Sequence, residues 1–205
     1  MRVAAPRVGI LSLQGDFALH RAAVEAAGAE PVRVTLPGDL EGAQALVLPG
    51  GESTTMLRLL EATGLRGPVA EFVRERPVLG TCAGLILLAR GNGSLPHPPF
   101  GALDAVVERN AYGRQIDSFS ETVEFAGAPL LGVFIRAPRI RAVGPGVEVV
   151  ARRASGEPVG VRAGRVVGLC FHPELTPDRR VHRWFLAEVA GLVPAAAASP
   201  PVEAA

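Results

Sequence analysis

The sequence predicts an α/β protein with three layers: a mostly parallel, mixed central sheet with helices on both faces. Three observations predict it. Residues 8–13, 45–48 and 77–80 are short runs, apolar almost throughout, as strands covered on both faces require. Each run is followed by a turn and then by helical periodicity, the alternation of β and α units that builds a parallel sheet. From Leu103 to Val167 the texture changes to Val-, Gly- and Pro-rich segments with short alternating runs, which signals antiparallel additions. At 205 residues and 48% hydrophobic content the chain suits one domain, over residues 1–192, with a substantial core.

Taken in order, residues 8–13 form a buried strand, Gln14-Gly15-Asp16 turns the chain, and a helix runs from Phe17 to about Ala27. Leu19, Ala23, Val24 and Ala27 mark its apolar side. Residues 32–34 are a short second strand. The run 45–48 stops at Pro49-Gly50-Gly51, after which Ser53 is expected to cap a helix carrying Met56, Leu57, Leu59 and Leu60. Residues 77–80 repeat the pattern and lead through Cys82 into the helical Leu85-Ile86-Leu87-Leu88. Residues 147–150 and 159–162 are antiparallel strands, 166–171 return as a core strand, and 177–192 form a final helix with Val181, Trp184, Phe185 and Val189 on one side. Residues 193–205 are Ala- and Pro-rich and are expected to be disordered. No internal repeat is present.

Composition excludes several functions. The net charge is +1 with charges dispersed, so neither nucleic acid nor an anionic membrane is an expected partner. Two cysteines in unlike contexts give no disulfide framework, the N-terminal residues lack the pattern of a signal peptide, and no run reaches membrane-spanning length. A cytoplasmic location is expected. All 21 basic residues are arginine, so a lysine Schiff base with a sugar or with pyridoxal phosphate is impossible on this chain.

Chemistry concentrates in two segments. Gly80-Thr81-Cys82-Ala83-Gly84 lies between a strand and a helix, where a tight turn exposes the thiol and the helix N-terminus favours thiolate. Glycines two positions to either side relieve the crowding of such a turn, and the Ala83 amide points towards the same space as the sulfur. An isolated cysteine is more often a small buried apolar residue; these flanks favour a nucleophile. His172-Pro173-Glu174 closes another strand, and a spacing of two puts the imidazole and the carboxylate on one face. Glu174 would then hold the tautomer that offers His172 to Cys82 as a base. Read without Cys82, the same tripeptide is an ordinary surface turn. The pairing also requires the two strands to be close in the sheet, which spacing does not establish. Cys170 is read as packing.

Pro49-Gly50-Gly51-Glu52-Ser53 ends a buried strand at the sheet edge where open α/β folds place their sites. The Gly51 amide is a candidate to join that of Ala83 as an oxyanion hole, although a lone Gly-Gly is also a common strand-to-helix junction. His20 and His97 have no companions at metal-ligand spacing, so no zinc site is expected. The acyl-transfer chemistry needs no metal or cofactor.

With Gly80-x-Cys82-x-Gly84 and His172-Pro173-Glu174, the chain resembles the class I glutamine amidotransferases, of flavodoxin-like fold. Further blocks narrow the resemblance to the glutaminase subunits of pyridoxal 5′-phosphate synthase. These are Leu13-Gln14-Gly15, Pro49 to Met56, Arg109-Asn110-x-x-Gly113-Arg114-Gln115, Val133-Phe134-Ile135-Arg136-Ala137-Pro138 and Phe171 to Thr176. The resemblance implies Cys82, His172 and Glu174 as catalytic triad, Gly51 and Ala83 as oxyanion donors, and Gly51, Glu52, Ser53, Arg109, Ile135 and Arg136 as contacts to L-glutamine. It puts Gln14 and Gly15 beside the oxyanion turn and the partner surface. A free amino acid offers one cation and one anion, which Glu52 and the arginines suit; either arginine alone would pass for a surface charge. The implied partner is a lysine-bearing (β/α)-barrel synthase subunit forming a dodecameric ring core that this subunit decorates and supplies with ammonia. The alternatives are a glutaminase subunit for histidine or purine biosynthesis, and a non-catalytic scaffold of the same fold. A Cys-type α/β-hydrolase fits less well, since its acid ordinarily precedes the histidine.

Overall fold

The computed structural model describes residues 4–91, 95–109, 111 and 118–192. Asn110, the Gly113-Arg114-Gln115 block and the expected tail at 193–205 lie outside these residues.

The all-apolar runs become strands of a parallel sheet half. β1 (Arg7–Leu11) pairs in parallel with β2 (Glu30–Val34) on one side and β3 (Ala45–Leu48) on the other. β3 then pairs in parallel with β4 (Val78–Thr81), which pairs in parallel with β12 (Val166–Leu169). All residues of β3, β4 and β12 are buried, the condition that their unbroken apolar character answers. Helices α1 (Phe17–Ala26), α2 (Ser53–Ala62) and α4 (Ala83–Leu88) follow β1, β3 and β4. A further helix, α3 (Arg66–Glu75), packs its buried Val69, Phe72 and Val73 into the core; its Pro68 sits in the first turn, where no amide hydrogen is lost to the helix ladder.

The remaining strands divide between two sheets. β11 (Pro158–Ala163), β10 (Glu148–Arg153), β7 (Ser118–Phe125) and β8 (Ala128–Ile135) extend the main sheet antiparallel from β12, completing the order β2-β1-β3-β4-β12-β11-β10-β7-β8. β6 (Leu103–Glu108) and β9 (Arg139–Val143) instead join the two-residue β5 (Ala89–Arg90) in a separate three-stranded sheet. That departs from the expectation that all of 103–167 adds to one sheet. Alternation reveals a half-buried strand, but partners are chosen by packing. Gly168 lets Leu103 and Leu85 close on β12, which holds β6 across the face of the sheet.

The C-terminal helix is also shorter than its periodicity suggests. Asp178 accepts from the Arg180 amide at 2.9 Å, so α5 starts there and spans Arg180–Trp184. A π turn over Phe185–Val189 follows, marked by Ala190 N–H donating to the Phe185 carbonyl at 2.9 Å, and it brings Phe185, Leu186 and Val189 inward together.

Candidate active site

Parallel pairing brings the two chemical segments together. Gly80 lies opposite Gly168 and Thr81 opposite Leu169, so Cys82 leaves the end of β4 beside the chain that reaches His172 three residues past β12. The adjacency left open by the sequence is thus a direct β4–β12 contact, reinforced by the Cys82 amide donating to the Leu169 carbonyl at 2.8 Å. Cys82 has φ 49° and ψ −102°, an unfavourable conformation for a residue with a side chain. A Cβ on Gly84 would overlap the Leu48 carbonyl, so the turn can be this tight only where Gly84 brings α4 against β3.

His172 and Glu174 do not share a strand face, as the spacing suggests; β12 ends at Leu169, and Pro173–Leu175 is a 3₁₀ turn. That turn brings the carboxylate back to the ring, with His172 Nδ1 donating to Glu174 Oε1 at 2.7 Å. The His172 amide donates to the Val133 carbonyl at 2.8 Å, so β8, at the far edge of the sheet order, curls back over the site. Next to it on β8, the Ile135 carbonyl accepts from the Cys82 thiol at 3.8 Å.

The electrostatics favour an imidazolium. Burial opposes charge on His172, but its interactions with Cys82 and Glu174 outweigh burial and raise its pKa well above the ordinary histidine value. Burial likewise opposes the Glu174 carboxylate, and hydrogen bonds from His172 and His20 hold it far below the usual range. His172 Nε2, the nitrogen left for chemistry, makes no hydrogen bond among the described residues. Burial pushes the Cys170 thiol well up, in keeping with its reading as packing.

A cavity of about 760 Å³ opens at this edge. Gln14, Gly15, Gly51, Glu52, Ser53, Cys82, Arg109, Ile135, Arg136, His172 and Glu174 all line it, whereas Ala83 is buried beneath the turn. Gln14 ties the first loop to the glycine turn, its Oε1 accepting from the Glu52 amide at 3.2 Å. Gly51 has φ 145° and stands against the Gln14 side chain. Ser53 is not the cap of α2. Glu52 takes that place, accepting from the Thr54 and Thr55 amides at 3.0 and 2.7 Å and from the Thr55 hydroxyl at 2.8 Å. Burial resists its charge, but these donors bring its pKa down to about 2. Arg109 Nη2 completes the arrangement with bonds to Glu52 Oε1 at 3.0 Å and to the Thr54 hydroxyl at 3.1 Å.

Sequence reasoning missed three neighbours. Gly50 lies against the imidazole, where a Cβ would overlap the His172 ring. His20, which has no companions at metal-ligand spacing in the sequence, lies 3.4 Å from Glu174 Oε1, and His182 Nε2 lies 3.4 Å from His20 Nδ1. The available signal was the position of His20 on the apolar side of α1 with Ala23, Val24 and Ala27. Among the described residues no group of three or more His, Cys, Asp or Glu is arranged to hold a metal, and no helix is long and apolar enough to cross a membrane.

The model of the SNO glutamine amidotransferase family matches residues 10–191. A pyridoxal 5′-phosphate synthase subunit PdxT from Mycolicibacterium vanbaalenii is 50% identical over 195 residues, covering 91% of this chain and 100% of the relative. Its counterpart from Thermus thermophilus is 51% identical over 189 residues, covering 90% and 98%. A solved glutamine amidotransferase superposes with a TM-score of 0.84 at 49% identity, over 90% of this chain and 99% of the other. PurLQS from Thermotoga maritima, at 19% identity and a TM-score of 0.67 over 90% of this chain and 99% of the other, shares the fold. Architecture and solved neighbours define the class as that of the α/β glutamine amidotransferases. Within it, the chain belongs to the SNO glutamine amidotransferase family.

Proposed function

We propose that this chain hydrolyses L-glutamine to L-glutamate and ammonia and passes the ammonia to a partner subunit for pyridoxal 5′-phosphate synthesis in the cytoplasm. The observation that carries the reading is the meeting of a strained Cys82 with a buried His172–Glu174 pair at one cavity. In the proposed reaction the Cys82 thiolate attacks the carboxamide carbon, and the Ala83 and Gly51 amides receive the developing oxyanion. The intermediate collapses with breakage of the C–N bond, His172 protonating the departing ammonia. Water then adds to the thioester with His172 as base, the C–S bond breaks, and glutamate leaves. Glu174 holds the imidazole and balances its charge throughout. Arg109, Arg136, Glu52, Ser53 and the Ile135 backbone bind the amino-acid end of the substrate.

Ammonia released to water at neutral pH would be protonated and lost as a nucleophile, so the product needs a receiver in direct contact. The receiver is a ring-forming, dodecameric (β/α)-barrel synthase subunit whose lysines supply the amine chemistry that this lysine-free chain lacks. The names of relatives at about half identity support that partner.

Glutamine hydrolysis measured with and without the synthase subunit tests the proposal. Turnover is expected to be low alone and to rise on adding the partner, and Cys82→Ala is expected to abolish it while the circular dichroism spectrum is unchanged. Substantial turnover by Cys82→Ala would sink the assignment, and a rate indifferent to the partner would sink the coupling.

A further inference from the structure

Glu174 has a second imidazole beside it that the reaction above does not use. His20 Nε2 lies 3.4 Å from Glu174 Oε1, the same oxygen that receives the His172 Nδ1 proton at 2.7 Å. It lies equally 3.4 Å from the Thr81 hydroxyl. On its other side His20 Nδ1 is 3.4 Å from His182 Nε2, the two rings meeting edge-on with centroids 5.7 Å apart. His20, Thr81, Glu174 and His182 are all buried, with His20 and Thr81 fully so.

This contact has a defined proton arrangement. A buried carboxylate is tolerated only with donors around it, and His172 supplies one to Oε1. An imidazole lone pair aimed at the same oxygen would be repulsive, which favours the His20 hydrogen on Nε2. A neutral His20 then presents a bare Nδ1, which needs a donor. His182 can provide it, because burial pushes its pKa down to about 3 and leaves it a neutral ring with one N–H. The chain of bonds thus runs from His182 Nε2–H to His20 Nδ1, and from His20 Nε2–H to Glu174 Oε1.

We propose that His20 is a positioning residue for the glutaminase reaction: as the Nε2–H tautomer, selected by His182, it donates to Glu174 and keeps that carboxylate aligned on His172. The proposal rests on Glu174 acting as the acid of the triad. It also gives α1 two attachments to the site. Gln14, just ahead of the helix, holds the glycine turn, and His20, in its first turn, holds the triad acid.

The test begins with the full-length chain labelled with ¹⁵N-histidine, where only four histidines need assignment. Long-range ¹H–¹⁵N correlation at neutral pH is expected to show His20 protonated on Nε2 and bare on Nδ1; the opposite tautomer overturns the proposal. Two variants are then assayed with the synthase partner present. His20→Gln keeps an N–H near the Nε2 position and is expected to retain kcat within a few-fold. His20→Leu keeps the volume without the donor and is expected to lose roughly 10- to 100-fold in kcat, as loss of one hydrogen bond to a charged group allows, with KM little changed. In His20→Leu the downfield Nδ1 proton resonance of His172 is also expected to move. Equal turnover in the two variants, or equal losses with that resonance unmoved, reduces His20 to packing and overturns the proposal. Should His20→Leu not fold, His182→Leu replaces it, with a mixture of His20 tautomers expected and an unchanged one contradicting the role of His182. Failure of the glutaminase reading itself shows differently, as absent turnover in the unaltered chain.

Discussion

Gly50 shows how narrow the tolerances are at single residues. Its α-carbon stands where any side chain would strike the His172 ring, and His172 cannot yield without breaking its 2.7 Å bond to Glu174. Gly50→Ala is therefore expected to reduce glutamine turnover at least about 100-fold, the lower end of what a positioned acid–base group contributes. Its cost in stability is expected at about 1–3 kcal/mol, as for other overpacked sites. Wild-type turnover in that variant would mean that the ring is not held as described. Cys82 obeys the same logic from the opposite side. Its φ of 49° is a conformation that costs energy locally and persists because Gly84 allows α4 to close on β3.

At the scale of the element, α2 joins the glycine turn to the sheet, and its N-terminus depends on Glu52. Two amide hydrogens of the first turn end on that carboxylate, which also lies at the favourable end of the helix dipole. The side chain is 47% exposed, so solvent screening keeps its contribution at the level of an ordinary cap. Glu52→Ala is expected to lower stability by about 1 kcal/mol, read from the urea midpoint at constant m. An unmoved midpoint would remove Glu52 as the cap. The sequence reading puts Ser53 at the cap, because propensity favours serine. The structure reverses the choice because Ser53 is buried as the first helical residue, while the longer Glu52 reaches over the turn and meets Arg109. The glycine turn and the helix were legible; which of two adjacent side chains would cap was not.

Over the whole molecule, buried His182 makes stability depend on pH. His182 titrates near its ordinary value when unfolded, about 6.5, but only at about 3 when folded. Between these values the unfolded state binds a proton that the folded state does not, so stability falls as pH falls, by up to about 1.4 kcal/mol per pH unit. Glu174, whose folded pKa is depressed, adds a loss in the same direction only below its unfolded value of about 4.5. His172 adds nothing to the slope below about 6.5, where both states hold its proton. Between pH 6.5 and 4.5 His182 therefore contributes a loss to which neither Glu174 nor His172 adds. Urea midpoints are expected to fall with pH across this window, and His182→Leu to flatten the fall. An unchanged slope in that variant would assign the acid sensitivity elsewhere.

By itself the sequence determined the strand and helix alternation, the glycine-flanked cysteine at a turn, the His-Pro-Glu segment and the family resemblance. These are local properties, set by side-chain period, backbone freedom and residue spacing. Only the tertiary structure decided what those pieces touch. That β12 lies beside β4, that β8 curls back to accept from His172 and Cys82, that β6 and β9 leave the main sheet, and that His20 and His182 line up behind Glu174 all depend on contacts between distant residues. Such contacts are chosen by burial of the whole core. The Cys82 and His172-Pro173-Glu174 segments were visible from the start, but the support behind their acid exists only once helices α1 and α5 are packed.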